Sequence, residues 1–243
     1  MRASNPPGLG LRKGLFSGDA GLAIPGYREQ IESTWKMTAQ DIWGMGELGA
    51  PGAECEHRTG LHYLGQGLVL AEFIDPVSGT LLPMAGGAVG ELVFTTLQRE
   101  AHPLIRFRSH DYVQISLGPC PCGRTGFRFR ILGRSDDMFI VKGVNVFPLA
   151  VQDVLYGFRP ELTGEFQILL DEPPPLAANP RLRVEAGAAV GAKDYPDLRR
   201  RLVRRIRDVL VFTADVELVP AGALPRSEKK ARRLYRLYQG EQP

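Results

Sequence analysis

Alternation of apolar and polar residues is the dominant pattern over about the first 130 residues, where short apolar runs are broken by glycine and proline. The segment 127–131 alternates strictly between apolar residues and arginine, which predicts a strand with one apolar and one cationic face. Residues 105–108 repeat the pattern, and we expect these two segments to be neighbouring strands. Strands are predicted at 14–20 (ending in a small-residue loop), 41–43, 68–74, 91–96, 104–113 and 127–131.

Helical spacing appears once in this region and twice beyond it. Tyr27, Ile31 and Trp35 recur every four residues after a proline, which predicts a short helix. After residue 136 the pattern predicts a two-stranded ribbon, a helix at 148–156, a strand at 166–170, a helix at 195–211 and a strand at 216–219. The chain is therefore predicted to be mixed α/β (α+β), with two domains that meet at 133–137.

Composition narrows the class of protein without naming a function. The 243 residues carry 44% hydrophobic and 23% charged residues, which is ordinary for a globular protein, and a net charge of +3, which is too small to argue for nucleic acid. The arginines of the predicted helix 195–211 surround a clean apolar stripe, so we interpret them as a solvated face rather than a nucleic-acid or membrane surface. Apolar runs are too short for a membrane span, and the default is a cytoplasmic enzyme or binding protein.

The cysteines point to a metal. All three, together with two of the four histidines, fall in two short segments, 55–62 and 120–124. Cys55, Cys120 and Cys122 with one histidine would form a tetrahedral structural zinc site. We predict His62 as the fourth ligand, with His57 as the alternative. Free buried thiols on a tight hairpin are the competing interpretation, because the spacing of Cys120 and Cys122 is tighter than in most zinc knuckles.

The most informative segment is 133–148. It places Arg134 and the acids Asp136 and Asp137 between a glycine turn and an apolar run that ends in Val-Asn-Val-Phe-Pro. This segment resembles the hinge motif of adenylate-forming enzymes, and in particular that of the phenylacetate–CoA ligase family. The resemblance implies that 1–132 is the C-terminal portion of the large AMP-binding domain with its β-rich subdomain, 133–137 the hinge, and 138–243 a small α+β swivelling domain.

Residues 43–47 are similar to the Tyr-Gly-x-Ser/Thr-Glu motif of that superfamily. The resemblance implies that Trp43 and Gly44 line the adenine pocket and that Glu47 helps to hold Mg²⁺, which takes one or two carboxylates plus phosphate oxygens. Gly46 departs from the motif, because a hydroxyl residue is expected there to touch a phosphate. Without the other motifs this segment would be a glycine-rich turn with a solvated acid.

Two further acids match nucleotide-binding positions. Residues 106–111 resemble the Tyr-Arg-Thr-x-Asp strand end, which implies that Asp111 accepts both ribose hydroxyls; a carboxylate suits a diol because it only accepts hydrogen bonds. Taken alone, an Asp after a strand is more often a turn former. Asp19 occupies the place of the family's Gly-Ala-Glu loop against the adenine.

The catalytic lysine of the family corresponds to Lys230, in a segment 224–233 where Lys229 replaces a glycine. A lysine suits this role because a compact ammonium on a long stem can reach the α-phosphate and the attacking carboxylate together. A solvated basic tail is the competing interpretation. In this superfamily Arg134 would approach the nucleotide, and Asp136 would be the swivel point between adenylation and thioester formation.

One element of the family is not recognised. Adenylate-forming enzymes cradle the β- and γ-phosphates with a Ser/Thr/Gly-rich loop ending in Pro-Lys, and neither 86–88 nor 8–10 supplies it. The resemblance thus covers the C-terminal half of a ligase. It implies ATP, AMP, Mg²⁺, CoA and a carboxylic acid such as phenylacetate as ligands, and a truncated or split enzyme that pairs with a separate chain or with itself. The alternative is a non-catalytic nucleotide-binding or interaction remnant.

Overall fold

The computed structural model describes residues 10–18, 22, 26–226 and 232–243. The chain divides into two compact units, Met1–Asp136 (unit 1) and Asp137–Pro243 (unit 2). Both units combine β-sheets with few helices, so the predicted mixed α/β class is confirmed.

Unit 1 is built around one eight-stranded sheet with the order β1-β2-β3-β4-β8-β7-β6-β5. β1 and β2 are parallel, and the pairings from β2 through β8 to β5 are antiparallel. Its elements are β1 (Lys13–Phe16), α1 (Tyr27–Trp35), β2 (Thr38–Met45), β3 (Gly49–Glu54), β4 (Leu61–Tyr63), β5 (Val69–Ile74), β6 (Val89–Thr96), β7 (Phe107–Ser116) and β8 (Arg128–Arg134).

Strand β7 alternates between buried and partly exposed residues, as a strand with one face in the core does. Alternate residues of β7 are buried, from Ser109 and Asp111 to Val113 and Ile115, so one face packs into the sheet core. The core of unit 1 contains Phe73, Leu92, Phe94, Val113, Ile115 and Phe129, with Leu48, Leu61 and Tyr63. Removing such side chains from water is the main source of stability for the sheet.

Unit 2 contains a two-stranded ribbon and a four-stranded sheet with the order β13-β12-β11-β14, against which two helices pack. β11 is antiparallel to β12 and parallel to β14, and β12 is parallel to β13. Its elements are β9 (Phe139–Val141), β10 (Val144–Val146), α2 (Pro148–Tyr156), β11 (Leu162–Leu170), β12 (Arg181–Ala186), α3 (Tyr195–Leu210), β13 (Asp215–Val219) and β14 (Leu234–Arg236), with short 3₁₀ turns at Ala192–Asp194 and Leu237–Gln239.

Helix α3 follows the predicted stripe. Leu198, Leu202 and Ile206 are all buried on the side that faces the unit 2 core, and the arginines lie on the other side. The helix ends at Leu210 rather than Val211, because Val211 adopts a left-handed conformation with φ of 61°. No helix among the described residues has the length and apolar character that crossing a membrane requires.

Most predicted elements are confirmed, and the differences have local reasons. The predicted neighbours 105–108 and 127–131 correspond to β7 and β8, which pair directly, but β7 begins only at Phe107 because Arg106 has a φ of 49°. The first predicted strand ends at Phe16. Strands β3, β4, β12 and β14 were not predicted; β3 reads Gly-Ala-Pro-Gly-Ala-Glu, which has little strand propensity and is held by pairing on both sides.

Candidate functional site

The register of β7 and β8 places Asp111 directly opposite Arg134. Nη1 of Arg134 lies 3.6 Å from Oδ1 of Asp111, and Asp111 is buried, with only 9% of its surface exposed. Two residues that the sequence assigned separately to the nucleotide therefore lie side by side on adjacent strands. A carboxylate only accepts hydrogen bonds, and it can accept several, so a carboxylate in this position suits a ligand with hydroxyl groups.

Trp43 comes to the same place from β2. Its indole Nε1 donates a hydrogen bond of 2.8 Å to Oδ2 of Asp111. Its rings pack against Phe94 and Phe129, with centroid separations of 5.5 and 5.3 Å. The aromatic contacts fix the indole, and the indole in turn fixes the carboxylate, so Asp111 is oriented on both of its oxygens.

Gly44, Gly46 and Glu47 follow Trp43 in the motif, and they differ in how closely neighbouring atoms pack against them. At Gly44 an added Cβ would meet the carbonyl oxygen of Gly49 and would lie 2.6 Å from Cα of Ala50, so close backbone packing alone requires glycine there. At Gly46 a Cβ would meet nothing within 4 Å. Glu47 is exposed two residues beyond β2, and among the described residues no ion pair engages its carboxylate.

Arg134 also contacts Asp136, the first of the two acids of the hinge motif. Its Nε and Nη2 donate to the two oxygens of Asp136 at 2.9 and 2.7 Å, an interaction of the two-pronged kind that arginine favours. Burial opposes ionisation of Asp136, but the hydrogen bonds from Arg134 hold its pKa below the ordinary value. Arg134 therefore lies between the predicted ribose ligand and the predicted swivel residue.

A buried carboxylate that the sequence analysis did not single out supports this arrangement. Glu91 of β6 is fully buried and accepts hydrogen bonds from Nε and Nη2 of Arg108 at 2.9 and 2.6 Å. It also accepts from the hydroxyl of Ser135 at 2.9 Å and from the backbone amide of His110 at 3.2 Å. Burial opposes its ionisation, but these hydrogen bonds hold the pKa of Glu91 below the ordinary value.

Two of the residues that bind Glu91 are sequence neighbours of the proposed nucleotide ligands. His110 precedes Asp111, Ser135 follows Arg134, and the amide of Ser135 donates to the carbonyl of His110 at 2.7 Å. Glu91 thus ties together the residues next to both nucleotide candidates. The signal in the sequence was a lone acid inside the apolar run Gly-Glu-Leu-Val-Phe, which sequence reasoning treated only as the start of a strand.

Two predicted site residues, Asp19 and Lys230, lie outside the described residues.

The sheet order β3-β4-β8-β7 brings the predicted metal ligands together. Cys55 directly follows β3, His62 lies on β4, and Cys120 and Cys122 lie between β7 and β8. Possible ligand atoms of all four residues lie within 4.8 Å of one another. His57 is not part of this group; it is exposed and lies 3.7 Å from the carboxylate of Glu56.

Two separations within this cluster, named here the Cys₃His cluster, match those of tetrahedral zinc. Zinc–sulfur bonds of about 2.3 Å and zinc–nitrogen bonds of about 2.0 Å at the tetrahedral angle require about 3.8 Å between two sulfurs and about 3.5 Å between sulfur and nitrogen. The Sγ atoms of Cys55 and Cys120 are 3.7 Å apart, and Sγ of Cys122 is 3.5 Å from Nε2 of His62. All three cysteines are free thiols rather than disulfides.

The thiols have contrasting surroundings. Burial raises the pKa of Cys55. A hydrogen bond with the hydroxyl of Thr59, 3.3 Å away, is the main cause that lowers the pKa of Cys120 to about 5. The other ring nitrogen of His62, Nδ1, is buried and has no partner among the described residues. Three cysteine sulfurs and one imidazole nitrogen form a set of soft donors that fits a thiophilic metal.

Comparison with known proteins identifies relatives of this chain. The family described as "AMP-binding enzyme C-terminal domain" matches residues 143–236. A phenylacetate–coenzyme A ligase of Thermus thermophilus is 37% identical over 83% of this chain and 48% of its own length. One of Escherichia coli is 34% identical over 95% of this chain and 52% of its own length.

This chain belongs to the phenylacetate–CoA ligase family. It spans about half the length of the curated relatives that it matches. Among solved structures, this chain is similar to a 2-hydroxyisobutyryl-CoA ligase in its postadenylation state, which was solved in complex with an acyl-AMP. The TM-score is 0.81 at 30% sequence identity, and the match covers 97% of this chain and 51% of the ligase. This chain therefore has the fold of the corresponding half of the adenylate-forming CoA ligases.

Proposed function

We propose that this chain forms the nucleotide-binding part and the small C-terminal domain of a carboxylate–CoA ligase. The reaction converts ATP and a carboxylic acid to an acyl-adenylate and pyrophosphate, after which CoA displaces AMP and leaves as the acyl-CoA. The observation that carries the proposal is the convergence of Trp43, Asp111 and Arg134, which come from three strands and match three separate motifs of the family.

In this proposal Asp111 binds the ribose hydroxyls. The Trp43 indole and the Arg134 guanidinium hold one oxygen each, and a carboxylate has further lone pairs that can accept the two ribose protons. The indole also restricts rotation of the carboxylate, which lowers the entropy lost on binding. Trp43 and Gly44 line the adenine side, together with the loop that contains Asp19.

The same proposal assigns the hinge and the catalytic cation. Residues 133–137 would join a large-domain portion, 1–132, to a small domain, 138–243, with Asp136 as the swivel point. Lys230 would stabilise the charge that develops between the α-phosphate and the attacking carboxylate during adenylation. Support comes from the contacts of Arg134 with both Asp111 and Asp136, which connect the ribose ligand to the swivel.

Glu47 would contribute one carboxylate to Mg²⁺. An exposed acid without an ion-pair partner in the described part of the chain suits a metal that keeps most of its waters and shares phosphate oxygens. The metal would neutralise charge on the phosphates during adenylation.

The acid is proposed to be an aryl carboxylate such as phenylacetate, on the strength of the names of the curated relatives. The phosphate loop and the acid pocket would be supplied by polypeptide outside these 243 residues, either on the same chain, on a separate chain or in an oligomer. Recognition of CoA is proposed because solved structures of a 30–31% identical relative contain it.

We further propose that the Cys₃His cluster holds a structural zinc ion. The fit of the S···S and S···N separations to tetrahedral geometry favours this over free thiols. Zinc bound there would fix the loop between β7 and β8 against β3 and β4, and these strands carry or adjoin the nucleotide residues.

Calorimetric titration of the full 243-residue chain with AMP and with ATP·Mg²⁺ tests the ligase proposal. We expect AMP to bind, and Asp111→Ala to lose at least about tenfold in affinity, the equivalent of about 1.4 kcal/mol. Ser116→Ala, at the C-terminal end of the same strand, is the matched control. Equal AMP affinity in wild type and Asp111→Ala would contradict the assignment of the ribose site. Pyrophosphate release with aryl acids, measured in the presence of the polypeptide that supplies the phosphate loop and the acid pocket, then tests turnover, with Lys230→Ala as the variant expected to abolish it.

A further inference from the structure

Arg128 is a buried arginine without a carboxylate. It lies on β8 beside His62 of β4 and is only 8% exposed. Among the described residues it makes no salt bridge, and its Nε is buried without a hydrogen-bond partner. An isolated buried charge is costly, so a compensating negative charge is expected close by.

Within the described part of the chain, the hydrogen bonds of Arg128 go to neutral groups. Nη1 donates to the hydroxyl oxygen of Thr59 at 2.7 Å, and Nη2 lies 3.5 Å from the carbonyl oxygens of Leu117 and Gly118. These contacts orient the guanidinium but do not balance its charge. Other buried acids of unit 1 already have arginine partners, as Glu91 does with Arg108.

Thr59 connects Arg128 to the metal cluster. Its hydroxyl oxygen accepts from Arg128, so its own proton is free to point to Sγ of Cys120 at 3.3 Å. The direction of donation therefore runs from guanidinium to hydroxyl to sulfur. A sulfur that receives such a bond is stabilised as an anion, as a metal-bound thiolate is.

The net charge of the Cys₃His cluster decides whether the positive charge of Arg128 is balanced. Three neutral thiols and a neutral imidazole would leave it unbalanced. Three thiolates and one divalent zinc carry a net charge of −1, which can balance one buried arginine. The side chain of Arg124 also interacts with Cys122, but Arg124 is exposed, so water screens its charge. We propose that Arg128 is the buried counter-ion of a zinc-loaded Cys₃His cluster and acts on Cys120 through Thr59 as a positioning residue; this proposal rests on the structural zinc proposed above.

Zinc affinity of the full chain, measured against EDTA-buffered zinc at constant pH, tests the proposal. Arg128→Met keeps the length of the apolar stem but removes the charge, and we expect it to weaken zinc binding by roughly 10- to 100-fold, the usual range for groups that support metal ligands. Arg128→Lys restores the charge and should recover part of that loss. Arg130→Met is the matched control, since Arg130 is two residues further along β8 but exposed.

A second variant separates this role from general packing. Thr59→Val has the same shape without the hydroxyl, so it should weaken zinc binding in the same direction as Arg128→Met. With cobalt(II) in place of zinc, Thr59→Val should also shift the sulfur-to-cobalt charge-transfer absorption, and Arg130→Met should leave it unchanged. This arm carries the test if Arg128→Met does not fold.

The outcomes distinguish the two proposals. Equal zinc affinity in wild type and in folded Arg128→Met or Thr59→Val would overturn the counter-ion role and leave the zinc site standing. A wild-type chain that binds no zinc under the same conditions would overturn the zinc site and the counter-ion role together.

Discussion

The hydroxyl of Ser135 donates a hydrogen bond of 2.9 Å to the buried carboxylate of Glu91, across 44 residues of sequence. Ser135 is the residue between Arg134 and Asp136 of the hinge motif, and Glu91 lies on β6, between β7 and the edge strand β5 of the unit 1 sheet. This bond fixes the last strand of unit 1 up to the residue before the proposed swivel. Any rotation of the proposed hinge would then be confined to the residues that follow Ser135.

We expect Glu91→Gln to lower the free energy of unfolding of unit 1 by about 1–3 kcal/mol, because it leaves the Arg108 guanidinium without its charged partner. Both tryptophans of the chain, Trp35 and Trp43, are in unit 1, so urea unfolding followed by tryptophan fluorescence reports on this unit. The matched control is Glu72→Gln, whose ion pair with Arg106 is 3.3 Å long and partly exposed. It should cost less than about 1 kcal/mol. Equal losses in the two variants would contradict the structural role of Glu91.

The two glycines of the Trp-Gly-Met-Gly-Glu motif should respond differently to the same substitution. Gly44→Ala should lower the free energy of unfolding by roughly 1–3 kcal/mol or more, because its Cβ would overlap the backbone of residues 49 and 50. Gly46→Ala has open space and should stay within about 0.5 kcal/mol of wild type. The same fluorescence measurement compares them, and a large loss for Gly46→Ala would show that this turn is more constrained than its geometry indicates.

Stability of unit 2 should depend on Glu185 in acid. This residue is buried in β12, and burial opposes its ionisation. It accepts hydrogen bonds from Arg226 and, at 3.0 Å, from the backbone amide of Leu224. These bonds outweigh burial and hold the pKa of Glu185 at about 2, below its ordinary value of 4.5. The unfolded chain therefore binds more protons between these two values, so the stabilising contribution is complete above pH 4.5 and is lost as the pH falls towards 2.

Glu185→Gln replaces the titrating carboxylate with a neutral amide. Wild type should be more stable than the variant at pH 7, and the difference should narrow as the pH is lowered to about 3 and then to about 2. Hydrogen exchange of the β12 amides, compared between the two proteins at each pH, measures it. A difference that is constant with pH would mean that the carboxylate titrates alike in the folded and unfolded chain.

Zinc binding should distinguish the two histidines near Cys55. His62→Ala should lose bound zinc because it removes one of four ligands, whereas His57→Ala should retain it because His57 is exposed and outside the cluster. Metal content of the purified chains by mass spectrometry checks this. Retention of zinc by His62→Ala together with its loss in His57→Ala would reverse the assignment.

The sequence by itself determined the kinds of element and most of their places. Period-two alternation predicted β7 and β8 as neighbours, and the four-residue spacing of Leu198, Leu202 and Ile206 predicted the buried face of α3. Motif resemblance placed this chain in its family, which the comparisons confirm. These features are local, because each depends on residues a few positions apart.

Tertiary structure decided which distant residues meet. Strand β3 forms from a sequence with weak strand propensity because β2 and β4 pair with it, and this pairing brings Cys55 to His62 rather than to His57. The partners of Glu91 and Arg128 are likewise set by sheet order and register. A lone acid or arginine in a strand looks the same in sequence whether it faces solvent or a buried partner, and only long-range pairing separates the two.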